Sequence, residues 1–449
     1  MTARLKTEPI GKLLFQFALP AIVSTTAMSL FNVIDSMFIG QILGAFAISG
    51  LAIAFPFMNL TAAFGMLVGI GSSILISVTL GKGEKEKVKK IFNNMILTNI
   101  IFGLIVSIIS LSFLDEILFY FGASENTLPY AKEYMQILLI GNVITHIYFS
   151  INTVFRAVGY PLKSMQAVLQ TVVINVALDA LFIYVLDMGI KGAAIATVLA
   201  QIISLLWQIN QLKDKIDILE INFKENKFEF YIIKNIIKIG SPQFLMSVSA
   251  CIVSILINRS LYDYGGDLEI GAFGIANRVI FIFLMIVIGI SQGMQPISGY
   301  NYGAGQYDRV IKVLKLAVLG ATCLTTLCFI VGFFFAPFVS SLFTKDKVLL
   351  EHSIHALQIT VIMMPFVGFG IITSTFFQSI GKARISTILS LSRQVIFYIP
   401  ALFILPSYMG VDGVWYSAPL SDLAFVITAT ILLFIHLPKL EKQNIGQHQ

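Results

Sequence analysis

Apolar residues run along this chain in long blocks instead of alternating. Twelve blocks are each long enough to cross a bilayer as a helix, since roughly 20 residues cover a hydrocarbon core of about 30 Å. They lie near residues 14–39, 46–79, 91–113, 131–156, 164–186, 190–211, 237–262, 270–298, 310–342, 351–378, 385–406 and 412–437. The period-two alternation of a lipid-facing barrel strand is absent, which argues against an outer-membrane barrel. Backbone groups inside a bilayer find no water, so each block is read as a helix that satisfies its own backbone. The expected fold class is an all-α membrane protein with twelve transmembrane helices. Blocks longer than the membrane is thick predict tilt or extension beyond it.

The polar connections sharpen this picture. Lys and Arg number twenty-three on one set of alternate connections and four on the other, Lys132, Lys191, Lys345 and Lys347. By the positive-inside rule both termini are cytoplasmic and the protein sits in the cytoplasmic (inner) membrane. The same distribution accounts for the net charge of +6 without a nucleic-acid partner. The longest polar stretch, 213–234, divides the spans six and six. It separates an N-terminal lobe (1–212) from a C-terminal lobe (235–449) as a cytoplasmic linker.

The halves repeat each other at an offset near 222. Pro20 matches Pro242, Gly81-Lys82-Gly83 matches Gly303-Ala304-Gly305, and Gln136 matches Gln358. Phe155 to Gly159 (FRAVG) matches Phe377 to Gly381 (FQSIG), and Met188 to Gly192 matches Met409 to Gly413 at 221. An even number of spans per half gives both copies one orientation. The pseudo-two-fold axis then lies along the membrane normal, and substrate sites in such proteins lie at the repeat interface.

Composition excludes other classes. The chain is 57% hydrophobic and 12% charged, about half the charged share of a soluble domain, too little polar surface to cover a soluble core. Cys251, Cys323 and Cys328 sit in apolar blocks and read as small buried hydrophobes without metal spacing. The segment Met1–Lys12 precedes an apolar run too long for a signal-peptide core, so that run is the first span. No H-E-x-x-H stands in the sequence, and no nucleophile–base pair or metal set is read from it, so the chain is not read as an enzyme and no cofactor is expected.

Ionisable residues inside spans are expensive and mark function by default. They are Asp35, His146, Asp179, Arg259, Arg278, Arg393 and Asp422. At about 1.5 Å per residue, Asp35 lies roughly 6 Å below the outer face, and Asp179 and Thr197 roughly 10 Å. Asn175 shares a helix face with Asp179. Two carboxylates, an amide and a hydroxyl at one depth suit oxygen ligation of a hard cation such as Na⁺, or a proton shared between the carboxylates. The alternative is a helix-end role for Asp35 and an interhelical hydrogen bond for Asp179. The second half lacks the set: Asn175 corresponds to Phe397 and Asp179 to Ala401.

Arg393 and Asp422, roughly 12 and 15 Å deep, are expected to form a structural ion pair. Arg259 is placed to snorkel, His146 reads as a packing residue, and Arg278 has no assigned partner. Pro20 lies mid-span and bends its helix, as a coupling element or as a static kink. The 15 Met and 37 Phe suit a soft lining for flat cations, although most are packing or lipid-facing positions.

Three stretches carry a resemblance: Pro20 to Gly40 (PAIVSTTAMSLFNVIDSMFIG), Gln292 to Gly305 (QGMQPISGYNYGAG), and Asn175 through Asp179 to Thr197. They resemble the MATE family, the multidrug and toxic compound extrusion transporters, over nearly the whole chain. Leu391 to Pro406 is similar to a bacterial branch of it. The resemblance implies two six-helix lobes around a V-shaped cleft and export of cationic or amphiphilic small molecules against H⁺ or Na⁺ by alternating access. It also implies a cation site at Asp35, Asn175, Asp179 and Thr197, and a helix-bending role for Pro20. Some relatives carry a second acidic pair on helices 7 and 10, where this chain offers Asn258 and Gln378. The expected partners are these substrates and the lipid bilayer, with the protein a monomer. Two other readings are a flippase for lipid-linked saccharides, which would line its cleft with cations for pyrophosphate, and an exporter of an unidentified metabolite.

Overall fold

In a computed structural model the residues described are 2–43, 45–215 and 228–445, and every regular element among them is helical. The first half contains α1 (Thr2–Thr7), α2 (Ile10–Leu43), α3 (Ala45–Gly81), α4 (Lys85–Ser112), α5 (Leu114–Tyr120), α6 (Leu128–Ile140), α7 (Asn142–Ala157), α8 (Pro161–Asp179) and α9 (Gly189–Lys215). The second contains α10 (Phe230–Gly265), α11 (Asp267–Gly303), α12 (Tyr307–Phe334), α13 (Ala336–Ser341), α14 (Lys347–Thr360), α15 (Met364–Ser379), α16 (Ala383–Leu391), α17 (Ile399–Met409) and α18 (Val411–Ile445). Among the described residues ten segments are long and apolar enough to cross a membrane, or up to 12 if each of two bent helix pairs is one span. The expected linker at 213–234 falls largely on 216–227, outside the described residues.

Four spans depart from the simple rods expected of their hydropathy. The block at 131–156 is α6 and α7, bent by 59°, and the block at 351–378 is α14 and α15, bent by 53°. The first break falls at Gly141, where a Cβ would lie 2.7 Å from the Val198 side chain. Only glycine allows that approach. The second precedes Pro365, which cannot donate a helical hydrogen bond. In the other two spans the helix widens. α8 passes into a π-helical segment, Ala180–Val185, and α16 and α17 are joined by another, Ser392–Tyr398. The block at 310–342 also ends early, because α12 stops at Phe334 and a short α13 follows.

The matched glycines of the two halves have a physical reason. Gly83 and Gly305 (φ 80° and 74°), Gly159 and Gly381 (97° and 77°), and Gly189 and Gly410 (62° and 60°) all adopt left-handed backbone. At the first two pairs the chain leaves its helix by the same device. Tyr160 N–H donates to Phe155 O at 2.8 Å, and its counterpart Lys382 N–H donates to Phe377 O at 2.9 Å. This is the glycine-terminated cap that satisfies orphan carbonyls.

The chain forms two compact units: Met1–Leu5 with Val23–Phe244, and Lys6–Ile22 with Leu245–Gln449. The sequence places the lobe boundary between helices. The units instead exchange the first turns of α2 and α10, changing just past Pro20 and Pro242. Glycines explain which side each segment packs on. Gly289 and Gly293 of α11 lie directly against the backbone of Ile22 and Ala18. Gly71 and Gly240 in the other unit permit the same approach to Ile236 and Leu67. Small residues allow helix backbones to touch where no hydrophobic effect separates protein from lipid.

Within the first unit, α3 and α7 are joined by a polar ladder. Thr153 Oγ1 donates to Gly69 O at 3.0 Å, Ser73 Oγ to Thr153 O at 3.3 Å, and Asn99 Nδ2 of α4 to Ser150 Oγ at 2.9 Å. His146 belongs to this ladder, with Nε2 donating to Thr61 O at 3.0 Å. Among the cysteines, Cys328 is buried, Cys251 partly so, and Cys323 exposed. The expectation of three buried thiols therefore fails at Cys323, which sits on the outward face of α12.

Candidate functional site

α2, α6, α8 and α9 bring five polar side chains together inside the first unit. Asp35 is 5% exposed and Asp179 fully buried. Tyr134 of α6 donates its hydroxyl to Asp35 Oδ2 at 3.4 Å, and it also interacts with Asp179 and Thr197. Asn175 Nδ2 donates to Thr197 Oγ1 at 3.2 Å. The two carboxylates are close enough to interact electrostatically. Asp35, Asn175, Asp179 and Thr197, expected from the sequence to lie at one depth, thus occupy one neighbourhood.

Local structure sets the geometry. Asn175 and Asp179 are one turn apart on α8, so their side chains share a face. Asp179 is the last α-helical residue before the Ala180–Val185 segment. A π-turn widens the helix and is common at functional sites. Small residues of α9, Ala193, Ala194 and Ala196, are fully buried and let it approach.

The balance of donors and acceptors is the telling feature. Asp35 Oδ1, both Asp179 carboxylate oxygens and Asn175 Oδ1 are buried and accept no hydrogen bond. No lysine or arginine pairs with either carboxylate among the described ion pairs. An ionised carboxylate in such a place is strongly unfavourable without a compensating positive charge. Oxygen-only ligands match a hard monovalent cation, and a proton would serve equally. Among the described residues no group of three or more His, Cys, Asp or Glu is placed to hold a metal ion. A small cavity adjoins the cluster, lined by Met28, Phe31, Tyr148, Thr171, Val172, Asn175, Thr197 and Gln201.

Tyr134 was not singled out by the sequence. A tyrosine near a membrane surface is ordinary in composition terms. Its signal lay in the repeat, where the corresponding residue is Ala356. Pro20 lies inside α2, which remains one continuous helix. In the second unit Arg393 Nε donates to Asp422 Oδ1 at 2.7 Å, the pairing expected from depth. Ser421 Oγ donates to Arg393 O, and the guanidinium lies 5.9 Å from the Phe425 ring centre. Arg259 is exposed and 3.9 Å from Asp263; Arg278 is also exposed.

A family profile described as MatE matches residues 20–181 and again 242–404, one copy per half. The chain is 27% identical over 428 residues to the multidrug export protein MepA of Staphylococcus aureus strain MRSA252, covering 95% of this chain and 94% of the relative. It is 27% identical over 425 residues to MepA of Staphylococcus haemolyticus, covering 95% and 93%. A crystal structure of MATE in the bent conformation superposes with a TM-score of 0.93 at 24% identity, over 99% of both chains.

Proposed function

The chain belongs to the MatE family, a family of membrane transporters with two six-helix lobes, and on that premise we propose that it is a secondary active multidrug exporter driven by exchange against H⁺ or Na⁺. The coupling cation binds among Asp35, Asn175, Asp179 and Thr197. Substrates are drug-like small molecules, as the name multidrug export protein of the staphylococcal relatives suggests, and cationic or amphiphilic ones fit exchange against a cation. The protein works as a monomer in the cytoplasmic membrane with both termini inside, the orientation favoured by the placement of Lys and Arg.

The observation that carries this reading is the set of four buried oxygens without donors, three of them on two uncompensated carboxylates. A site in that state attracts a cation, and a coupled transporter uses a cation site whose affinity differs between its states. Tyr134 holds one oxygen of Asp35 and leaves the other free to bind. The test is efflux of a cationic dye from sealed proteoliposomes, with Na⁺ and H⁺ gradients imposed separately. One gradient is expected to drive dye movement in the parent and neither in Asp35→Asn. Equal efflux with and without either gradient, or normal gradient-driven efflux by Asp35→Asn, overturns the proposal.

A further inference from the structure

We infer that a buried polar file along α9, joined by Thr171 of α8, conducts the coupling cation between the carboxylate cluster and the cytoplasmic end of the first half. The inference rests on the reading of that cluster as the coupling site. The file begins at Thr197 and continues through Gln201, Ser204 and Gln208, spaced by four, three and four residues. That spacing puts all four on one face of the helix. Their exposures are 9%, 8%, 0% and 0%, so the face is turned into the protein. At about 1.5 Å per residue it covers roughly 16 Å, most of the roughly 20 Å that a core of about 30 Å leaves below the cluster.

Polar side chains of α7 and α8 flank the file. Thr145 donates to Gln201 Oε1, and Thr171 Oγ1 lies within hydrogen-bond distance of Ser204 Oγ (2.7 Å) and Tyr148 OH (2.8 Å). At its lower end neither amide atom of Gln208 has a partner. A buried amide without partners weakens a dry helix contact, and polar groups at such depth mark ion pathways. A site that is polar on several sides suits transient water or a passing cation.

The second half supplies a control. At the offset of 221 shared by Gly192 and Gly413, the corresponding residues are Ala418, Asp422, Phe425 and Ala429. Phe425 and Ala429 are as deeply buried as Ser204 and Gln208, at 2% and 0% exposure. Packing this helix face therefore does not require polar residues. Where no cation passes, the same positions are filled by an ion pair and an apolar plug.

The test uses the full-length protein in proteoliposomes under the driving cation gradient. Gln208→Leu is expected to lower the maximal rate of dye efflux about tenfold, the loss of roughly one hydrogen bond to the moving ion. The dye concentration giving half-maximal rate, and dye binding in detergent, remain as in the parent. Gln208→Asn, which keeps the amide, recovers most of the rate. Ser204→Ala is the second variant should Gln208→Leu fail to fold, with the same expectation. A parental maximal rate in the folded variant overturns the pathway. Asp179→Asn measured alongside separates the two ideas. If it is inactive while Gln208→Leu is normal, the pathway alone fails. If it retains gradient-driven efflux, the coupling site itself fails.

Discussion

Asp179 and Asp422 are both buried carboxylates on homologous bundles, and their surroundings are opposite. Asp422 receives the Arg393 guanidinium at 2.7 Å, and a neighbouring aromatic ring flanks the cation. Asp179 has no donor on either oxygen and faces a second carboxylate. The repeat places the difference exactly where it matters chemically: Arg393 corresponds to Thr171, and Asp422 to Gln201. One half carries its own counter-charge. The other leaves a carboxylate pair without one, which is why we propose that the coupling cation binds there.

The largest effect that would break this contrast is loss of transport. Asp179→Asn is expected to reduce gradient-driven dye efflux to background with normal assembly, as judged by gel filtration. Replacing both partners of the other pair, Arg393→Leu with Asp422→Leu, should leave coupling in place. Next comes stability. Arg393→Leu alone strands Asp422 and should cost about 3–5 kcal/mol, read as a lower thermal transition in detergent. The double replacement recovers most of that loss, since well-packed apolar residues replace a buried ion pair at little net cost. If the single variant is as stable as the parent, the pair is not structural.

Smaller effects sharpen the comparison. Gly69→Ala puts a Cβ 2.9 Å from Ser150 Oγ and 3.0 Å from its Cα. Overpacking of this kind costs about 1–3 kcal/mol and should lower the thermal transition without changing which cation drives efflux. The repeat-related residue in the second half is Ser291, so a Cβ is already accommodated there. Tyr134→Phe removes one long hydrogen bond to Asp35. It should weaken cation affinity about fivefold, equivalent to roughly 1 kcal/mol, measured as the cation concentration for half-maximal efflux. Unchanged cation dependence would remove Tyr134 from the site.

Hydropathy made the spans legible because every lipid-facing turn must be apolar. The repeat was legible because left-handed turns demand glycine, so Gly83, Gly159 and Gly189 reappear as Gly305, Gly381 and Gly410. Asp35, Asn175, Asp179 and Thr197 stood out because polar oxygens at one depth are rare in an apolar helix. Tyr134 and Gln208 did not, since their significance is in what surrounds them. The breaks at Gly141 and before Pro365 hid inside continuous apolar runs, where lipid solvation fixes composition and not straightness. The exchange of the α2 and α10 ends was also hidden. It depends on which glycine faces which backbone, as with Gly293 and Ala18, and pairing of that kind is not written in either segment alone.

The most direct measurement is counterflow: impose a dye gradient across proteoliposomes and record cation movement in the opposite direction. The parent, and the variant with both Arg393 and Asp422 replaced by Leu, should move the cation in proportion to dye. Asp179→Asn should move none. Cation movement that survives in Asp179→Asn would contradict the assignment of the first-half carboxylates as the place where the driving ion binds.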